Sequence, residues 1–258
     1  MLRTRENLIA LTTMLRKDVL RLFRIWTQTL LPPVVTTTLY FAIFGALIGS
    51  QLPQLGDYTY MQFIMPGLVM MTMITSSYMH VSSMLFMMKF QRNIDELLVS
   101  PMPRELIVIG LLIGGLIRSS LTGILVLFVA LLFTHITIFN AIVLLGAGLL
   151  ASLIFSSAGF LNSLFAKSFD GINIIPTFVL TPLTYFGGVF YSIALLPQFW
   201  RDLSLFNPIL YMVNAFRYGF LGISDVTLVS SFVMMTSLAL LGVSVSIVLF
   251  KKGIGLER

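Results

Sequence analysis

The sequence "KFQRNIDELLVSPMPREL", residues 89–106, is a polar connection between two long apolar runs. It carries six charged side chains, whereas residues 58–88 before it and residues 107–117 after it carry none. An apolar run of about 20 residues is long enough to cross the ~30 Å hydrocarbon core of a bilayer as a helix. The pattern therefore predicts a membrane protein in which this polar stretch joins two spanning helices.

The composition of the whole chain supports this interpretation. Apolar residues make up 57% of the 258 residues, charged residues only 10%, and the mean hydropathy is +0.98. Soluble domains carry about 25% charged residues. We therefore expect an all-α polytopic membrane protein with one domain over residues 1–258. The chain has no cysteine, which excludes disulfides and thiolate metal sites.

The N-terminal segment 6–26 has the pattern of an amphipathic helix lying in the membrane interface. Its apolar residues recur at spacings of three and four, and its basic residues gather on the opposite face. The apolar series is Leu8, Leu11, Leu15, Val19, Leu22 and Trp26, and the basic series is Lys17, Arg21 and Arg24. The alternative is an ordinary charged lead-in to the first span.

Charge-poor runs predict six spans, near residues 28–49, 60–87, 106–133, 139–163, 172–192 and 228–250. The apolar stretch 203–222 is the alternative seventh span. Cytoplasmic segments carry an excess of Lys and Arg. Six spans with both termini cytoplasmic place thirteen of these residues inside and two outside, whereas seven spans place ten inside and four outside. The basic residues therefore orient the chain, and we expect no nucleic-acid partner.

Residues 193–223 are then predicted to enter the membrane from outside and return, as a re-entrant helical turn between spans five and six. Asn207-Pro208 near its middle, with Gly219 and Gly222 near its end, permits such a turn. Irregular backbone at membrane depth is tolerated only where protein or a wet cavity covers it. We therefore expect this segment to lie over a transport pathway.

Arg118 and His80 are the ionisable side chains predicted to lie deep within spans. Arg118 is interpreted either as a hydrogen-bond clamp on a neighbouring span or as a contact for an anionic substrate. His80 is expected to bond to neighbouring hydroxyls rather than to a metal, since no second His or Cys stands at ligand spacing. Gly110 and Gly114 are expected to allow close helix packing.

The sequence argues against ion coupling, ATP binding and catalysis by this chain itself. Its ten Asp and Glu lie outside the predicted spans or at their ends, which disfavours an ion-coupled transporter. It has no Gly-x-x-x-x-Gly-Lys-Ser/Thr phosphate loop and no His-Glu-x-x-His, so we expect neither ATP binding nor enzyme activity. Any driving energy must come from another chain, and residues 89–105 offer a cytoplasmic contact for it.

Several segments together resemble the type-2 permeases of ATP-binding-cassette exporters. They include "YMQFIMPGLVMM" (60–71), "KFQRNIDELLVSP" (89–101) and "NPILYMVNAFRYGFLG" (207–222). The resemblance implies the type-2 permease fold in a bacterial cytoplasmic (inner) membrane. It also implies a homodimer working with two ATPase subunits, which hold the ATP and Mg. The cargo it implies is an amphipathic lipid, a drug or a saccharide.

The same resemblance implies two sets of site residues. The coupling helix within residues 89–105, which contacts the ATPase, comprises Arg92, Asn93, Asp95, Glu96, Leu97, Leu98, Ser100 and Pro101, with Leu97, Leu98 and Pro101 as apolar anchors. The external gate comprises Gly187, Gly188, Phe190, Tyr191, Pro197, Trp200, Asn207, Pro208 and Arg217.

Two interpretations stay open at this stage. Eleven of the 32 aromatic residues lie between Tyr185 and Phe220, either lining an exit for cargo or forming an aromatic belt at the outer interface. The alternative function is a membrane scaffold or sensor subunit that recruits a cytoplasmic partner without transport. A re-entrant turn favours the permease, because a scaffold does not need one.

The topology makes a direct prediction. A reporter protein fused after Arg258 should give a cytoplasmic signal, because Lys251, Lys252 and Arg258 hold the C-terminus inside. Alkaline phosphatase and green fluorescent protein fusions measure this. A periplasmic signal would instead restore the seventh span and remove the re-entrant turn.

Overall fold

The computed structural model describes residues 4–48, 58–135 and 138–256, and within these ranges we find helices and no strand. The α-helices are α1 (Thr4–Arg24), α2 (Trp26–Thr29), α3 (Leu31–Tyr40), α4 (Tyr60–Phe90), α5 (Asn93–Val99), α6 (Arg104–Leu131), α7 (Ala141–Phe165), α8 (Phe169–Ile175), α9 (Thr181–Phe186), α10 (Gln198–Leu205), α11 (Pro208–Leu221) and α12 (Leu228–Lys251). Two π-helical segments, Phe41–Ile48 and Pro176–Leu180, and a 3₁₀ turn, Ile193–Leu195, complete the described elements.

Polar residues set the starts of the long helices. Thr59 and Gln62 form a reciprocal capping box at the start of α4. The side chains of Asn140 and Thr227 accept backbone N–H groups at the starts of α7 and α12. The residues between the apolar runs therefore fix where the runs become helical.

Three described helices, α6, α7 and α12, are long and apolar enough to cross a membrane by length and composition. The predicted first and fifth spans are interrupted helices instead. Pro32 and Pro33 begin α3, and Pro176 begins the second π-helical segment. Proline removes a backbone donor and clashes with the preceding turn, which interrupts a helix. The number of six spans stays a prediction.

The helical part of the predicted fifth span, near residues 172–192, ends before residue 192. Helix α9 ends at Phe186, and Gly188 follows with a φ of +70°. This left-handed conformation favours glycine because it has no Cβ. The helical prediction over 187–192 is therefore wrong, and the chain turns there toward α10.

Helix α4 is the centre of the packing, in contact with α6, α7 and α11. A Cβ placed on Gly159 of α7 would lie 2.4 Å from the Tyr78 carbonyl oxygen, so only glycine allows this approach of the two backbones. Hydroxyl pairs cross the same region: Ser76 bonds to Thr122 at 3.0 Å, and Ser119 donates to Ser152 at 2.8 Å. Small and hydroxyl residues are typical of helix contacts in membranes.

Helix α1 packs against α6 through part of the predicted apolar face, including Leu11, together with Met14 and Asp18. Gly110 meets Met14 and Leu11, and Gly114 meets Asp18. Leu8 and Trp26, which were expected in the apolar face, are more than half exposed, whereas Asp18 is only 4% exposed. The close packing expected at Gly110 and Gly114 is therefore with the N-terminal helix, and its contact face includes a carboxylate.

The contact between α4 and α7 can be tested with one methyl group. Gly159→Ala should lower the stability of the purified protein by about 1–3 kcal/mol, because the new Cβ meets backbone that cannot move aside. Thermal unfolding in detergent measures this. Gly171→Ala is the matched control, since its Cβ would have 3.4 Å to the nearest atom. Equal unfolding temperatures for the two variants would contradict the close approach.

Candidate functional site

The connection between α4 and α6, predicted to be cytoplasmic, folds as a short helix, α5, which follows a tight turn. Arg92 precedes α5 with a φ of 60°, a left-handed conformation that costs a non-glycine residue about 1 kcal/mol or more. Ser100 ends the helix, and its hydroxyl donates to the Leu97 carbonyl at 2.7 Å. Asn93, the first residue of α5, and Pro101, just after its end, are exposed.

Helix α5 packs its apolar side against the protein's own core. Ile94 is buried, and Leu97 and Leu98 are half-buried against the cluster formed by the ends of α4, α6 and α7 that lie next to α5. Val99, in contrast, is 87% exposed. The leucines expected to anchor a partner therefore contribute mainly to internal packing. The apolar side chain that α5 presents to solvent is Val99.

The six charges of residues 89–106 divide into two groups. Lys89 donates to the carbonyls of Ser163 and Leu164 at 2.9 and 2.7 Å, and Arg104 donates to the carbonyl of Lys251 at 2.7 Å. The last carbonyls of a helix lack intrahelical partners, so these cations cap α7 and α12.

Two of the charged groups in this stretch, Lys89 and Glu105, have shifted pKa values. Burial lowers the pKa of the Lys89 ammonium from its usual value. A hydrogen bond from Lys251, with which Glu105 forms an ion pair, lowers the pKa of the Glu105 carboxyl. Among the described residues, Arg92, Asp95 and Glu96 have no ion pair and are exposed. They form the free charged face of α5.

The predicted external gate is a helix pair, α10 and α11, joined by a tight turn at Asn207. The Asn207 side chain caps Ile209 N at 3.0 Å and donates to the Leu183 carbonyl at 2.6 Å, while Pro208 occupies the first position of α11. Pro197 stands immediately before α10. The turn at Asn207 is therefore hydrogen-bonded to α9.

Arg217 is the central side chain of this region, and it is 1% exposed. It donates to the carbonyls of Gly188 at 2.6 Å and Phe63 at 3.4 Å, and its guanidinium lies 3.9 Å from the centroid of the Phe63 ring. Asp225 lies 4.0 Å away and also accepts from Ser192 at 2.6 Å. One cation thus joins α11, α4 and the turn after α9.

Aromatic side chains surround the same region. Phe190 stacks on Tyr185 at 5.5 Å, and the Tyr185 hydroxyl bonds to that of Tyr40 at 2.8 Å. Trp200 stacks on Phe186 at 5.8 Å. Gly187 packs against Ile209, and Tyr191 is half-buried. The structure therefore brings the nine predicted gate residues, all described, into one region of the fold.

Among the described residues, His80 bonds to a carboxylate and to no hydroxyl, so the prediction of hydroxyl partners is wrong. Its Nε2 lies 2.9 Å from Oδ2 of Asp18, and both side chains are buried. Helix α1 carries this carboxylate to the second span, which helix periodicity alone did not indicate. Asp18 lies outside the predicted spans, as expected, but α1 brings its carboxylate into the helix packing.

Arg118 bonds to a backbone carbonyl, as one of its two interpretations expected. Its Nη2 donates to the Thr29 carbonyl at 3.3 Å, while its Nε is buried without a partner among the described residues. Arg118 also lines two cavities, one of about 180 Å³ beside Asp18 and His80 and one of about 350 Å³ beside α3. The clamp therefore uses only part of its hydrogen-bonding capacity.

Comparison with known proteins gives one consistent result. The family described as ABC-2 type transporter matches residues 9–221. The chain is 54% identical over 228 residues to the "Inner membrane transport permease YadH" of Escherichia coli strain K12, covering 87% of this chain and 88% of that protein. It is 23% identical over 188 residues to "Nodulation protein J" of Rhizobium leguminosarum bv. viciae, covering 71% of each.

The Arg217 contact yields a stability prediction. Arg217→Ala should cost about 1–3 kcal/mol, because it removes the buried charged donor to the carbonyls of Gly188 and Phe63. Unfolding of the purified protein by heat measures this. The control is Arg201→Ala, which removes an exposed cation from the neighbouring helix. If both variants unfolded at the same temperature, Arg217 would not hold the gate.

Proposed function

The chain belongs to the ABC-2 type transporter family, and from that premise we propose that it is the permease subunit of an ATP-driven exporter in the bacterial inner membrane. Two copies form the translocation path, and each is coupled through α5 to a separate ATPase subunit that holds the ATP and Mg. The permease has no catalytic residue of its own. The name of the YadH permease supports the membrane and the transport role.

The free face of α5 is the observation that carries this proposal. Arg92, Asp95, Glu96 and Val99 are exposed, while Lys89 and Arg104 cap the ends of α7 and α12 and Glu105 forms an ion pair with Lys251. A connector between two spans needs neither a packed helix nor an exposed apolar side chain. A rigid helix with a small apolar centre and a charged rim is the arrangement expected of a docking surface.

The continuity of α4 supports coupling between the two ends of the permease. The helix runs from Tyr60 to Phe90, with the Phe63 carbonyl bound to Arg217 at one end and Lys89 fastened to α7 at the other. A displacement of α5 by the ATPase would therefore pass through the two-residue turn Gln91–Arg92 into α4 and along this helix to the predicted gate. The aromatic side chains near Phe190 suit an amphipathic lipid, a drug or a saccharide as cargo.

Val99 provides the sharpest test of the docking surface. Val99→Asp should reduce co-purification of the ATPase at least about tenfold, because it places a charge in a contact that must exclude water. The fold should persist, since the side chain touches solvent in the free permease. The Leu97 and Leu98 pair is a poorer probe because these residues also pack internally. Glu96→Ala should have little effect, since exposed charge pairs contribute about 0–1 kcal/mol.

Ile254→Asp is the control, because it adds the same charge at another exposed apolar position near the inner end of α12. Pull-down of the ATPase and ATP-dependent transport in proteoliposomes are measured together. Loss of both with Val99→Asp supports the coupled permease. Undiminished ATPase binding by that variant would exclude the α5 face. Binding without any transport would favour a scaffold subunit.

A further inference from the structure

A cavity of about 180 Å³ lies between α1, α4, α6 and the start of α8. One water occupies ~30 Å³ in the liquid, so this space exceeds what a single bridging water would fill. Asp18, Arg21, His80 and Arg118 contribute polar walls. Phe169 also lines the cavity and is 46% exposed, so it stands at the mouth. The cavity therefore combines buried charges with an apolar opening.

Two charged groups on the cavity wall have unused hydrogen-bonding capacity. The Arg118 guanidinium has five N–H donors. Among the described residues, only its Nη2 makes a hydrogen bond, and its Nε is buried without a partner. Asp18 accepts from His80 at Oδ2, while its Oδ1 is buried without a partner among the described residues.

Arg118 and Asp18, both described, form no ion pair with each other. Buried charges without full hydrogen bonding are costly. Binding of a ligand that supplies the missing hydrogen bonds of both Arg118 and Asp18 is therefore favoured. That ligand must offer acceptors to the guanidinium and donors to the carboxylate. A molecule with an anionic and a cationic group close together meets both requirements.

We propose that this cavity binds the headgroup of a phospholipid that carries a primary ammonium group. The phosphate accepts hydrogen bonds from Arg118, since a guanidinium matches phosphate oxygens well. The ammonium donates to the Asp18 carboxylate, which His80 holds in place. The acyl chains leave past Phe169 toward the bilayer. This site does not depend on the proposed transport function.

The charge balance distinguishes this ligand from a simple anion. An anionic headgroup without an ammonium would satisfy Arg118 and Arg21 but would be repelled by Asp18. A trimethylated headgroup keeps its positive charge but has no N–H to donate to Asp18. Phosphatidylethanolamine, phosphatidylglycerol and phosphatidylcholine with identical acyl chains therefore separate the three possibilities.

Native mass spectrometry of the purified full-length chain with equal amounts of these lipids tests the site. Wild type should retain phosphatidylethanolamine about tenfold more than phosphatidylcholine, as one hydrogen bond to a charged group implies. Mono- and dimethylated phosphatidylethanolamine should fall stepwise between the two. This comparison needs no variant. Equal retention of the ethanolamine and choline lipids, or preference for phosphatidylglycerol, would overturn the proposal.

Variants then assign the two ends of the headgroup. Asp18→Asn should abolish the preference for ethanolamine over choline, while its amide oxygen still accepts from His80. Arg118→Gln should weaken retention of all three lipids about tenfold. Lys17→Gln, an exposed neighbour on α1, should change neither. A preference that survived Asp18→Asn in a folded variant would exclude the ammonium contact.

A separate measurement shows whether the bound lipid is a transported cargo or a lipid of the surrounding bilayer. In proteoliposomes containing the partner ATPase, ATP-dependent appearance of phosphatidylethanolamine in the opposite leaflet, detected with an impermeant amine reagent, assigns the site to a cargo. Higher thermal stability with added phosphatidylethanolamine but no transfer assigns it to a bilayer lipid. Both results support the site; the transfer result also requires coupling to the ATPase, whereas the thermal-stability result does not.

Discussion

The close packing of α4 against α7 is the constraint on which the other contacts depend. Lipid chains are as apolar as leucine, so helices in a membrane gain little from hiding apolar surface and associate through close packing and hydrogen bonds. Gly159 allows the Tyr78 backbone to approach, and hydroxyl pairs link α4 to α6 and α6 to α7. With α4 fixed in this way, its ends present Phe63 to Arg217 and Lys89 to the end of α7.

Charged residues in this protein act at helix ends and between helices. Lys89 and Arg104 satisfy the last carbonyls of α7 and α12, which otherwise have no intrahelical partner. Arg217 donates to the carbonyls of Gly188 and Phe63 at the opposite end of α4. The proposed docking face of α5 is what remains after these internal requirements are met. Residues 89–106 thus contain both the cations that cap α7 and α12 and the proposed docking face.

The family resemblance and the all-helical architecture were predicted from sequence, and both are confirmed. Apolar run length and local capping signals, such as Asn207-Pro208, depend on neighbouring residues, so a single sequence contains them. Pairs distant in the chain do not leave such a signal: Asp18 and His80 are 62 positions apart. The orientation of α5 was also not predictable, because Leu97 and Val99 are both apolar and only packing decides which one faces solvent.

The central claim is that α4 acts as one rigid connection between the predicted gate and α5. The chain has no cysteine, so cysteines introduced at Met61 and Gln91 would be its only thiols for spin labels. With the labelled chain diluted in excess unlabelled chain, so that each assembled transporter carries at most one labelled copy, double electron–electron resonance should give one narrow distance of about 45 Å for thirty helical residues, unchanged between the nucleotide-free and ATP-bound states. A shift between these states of one helical turn, about 5 Å, or a second distance population would contradict the account.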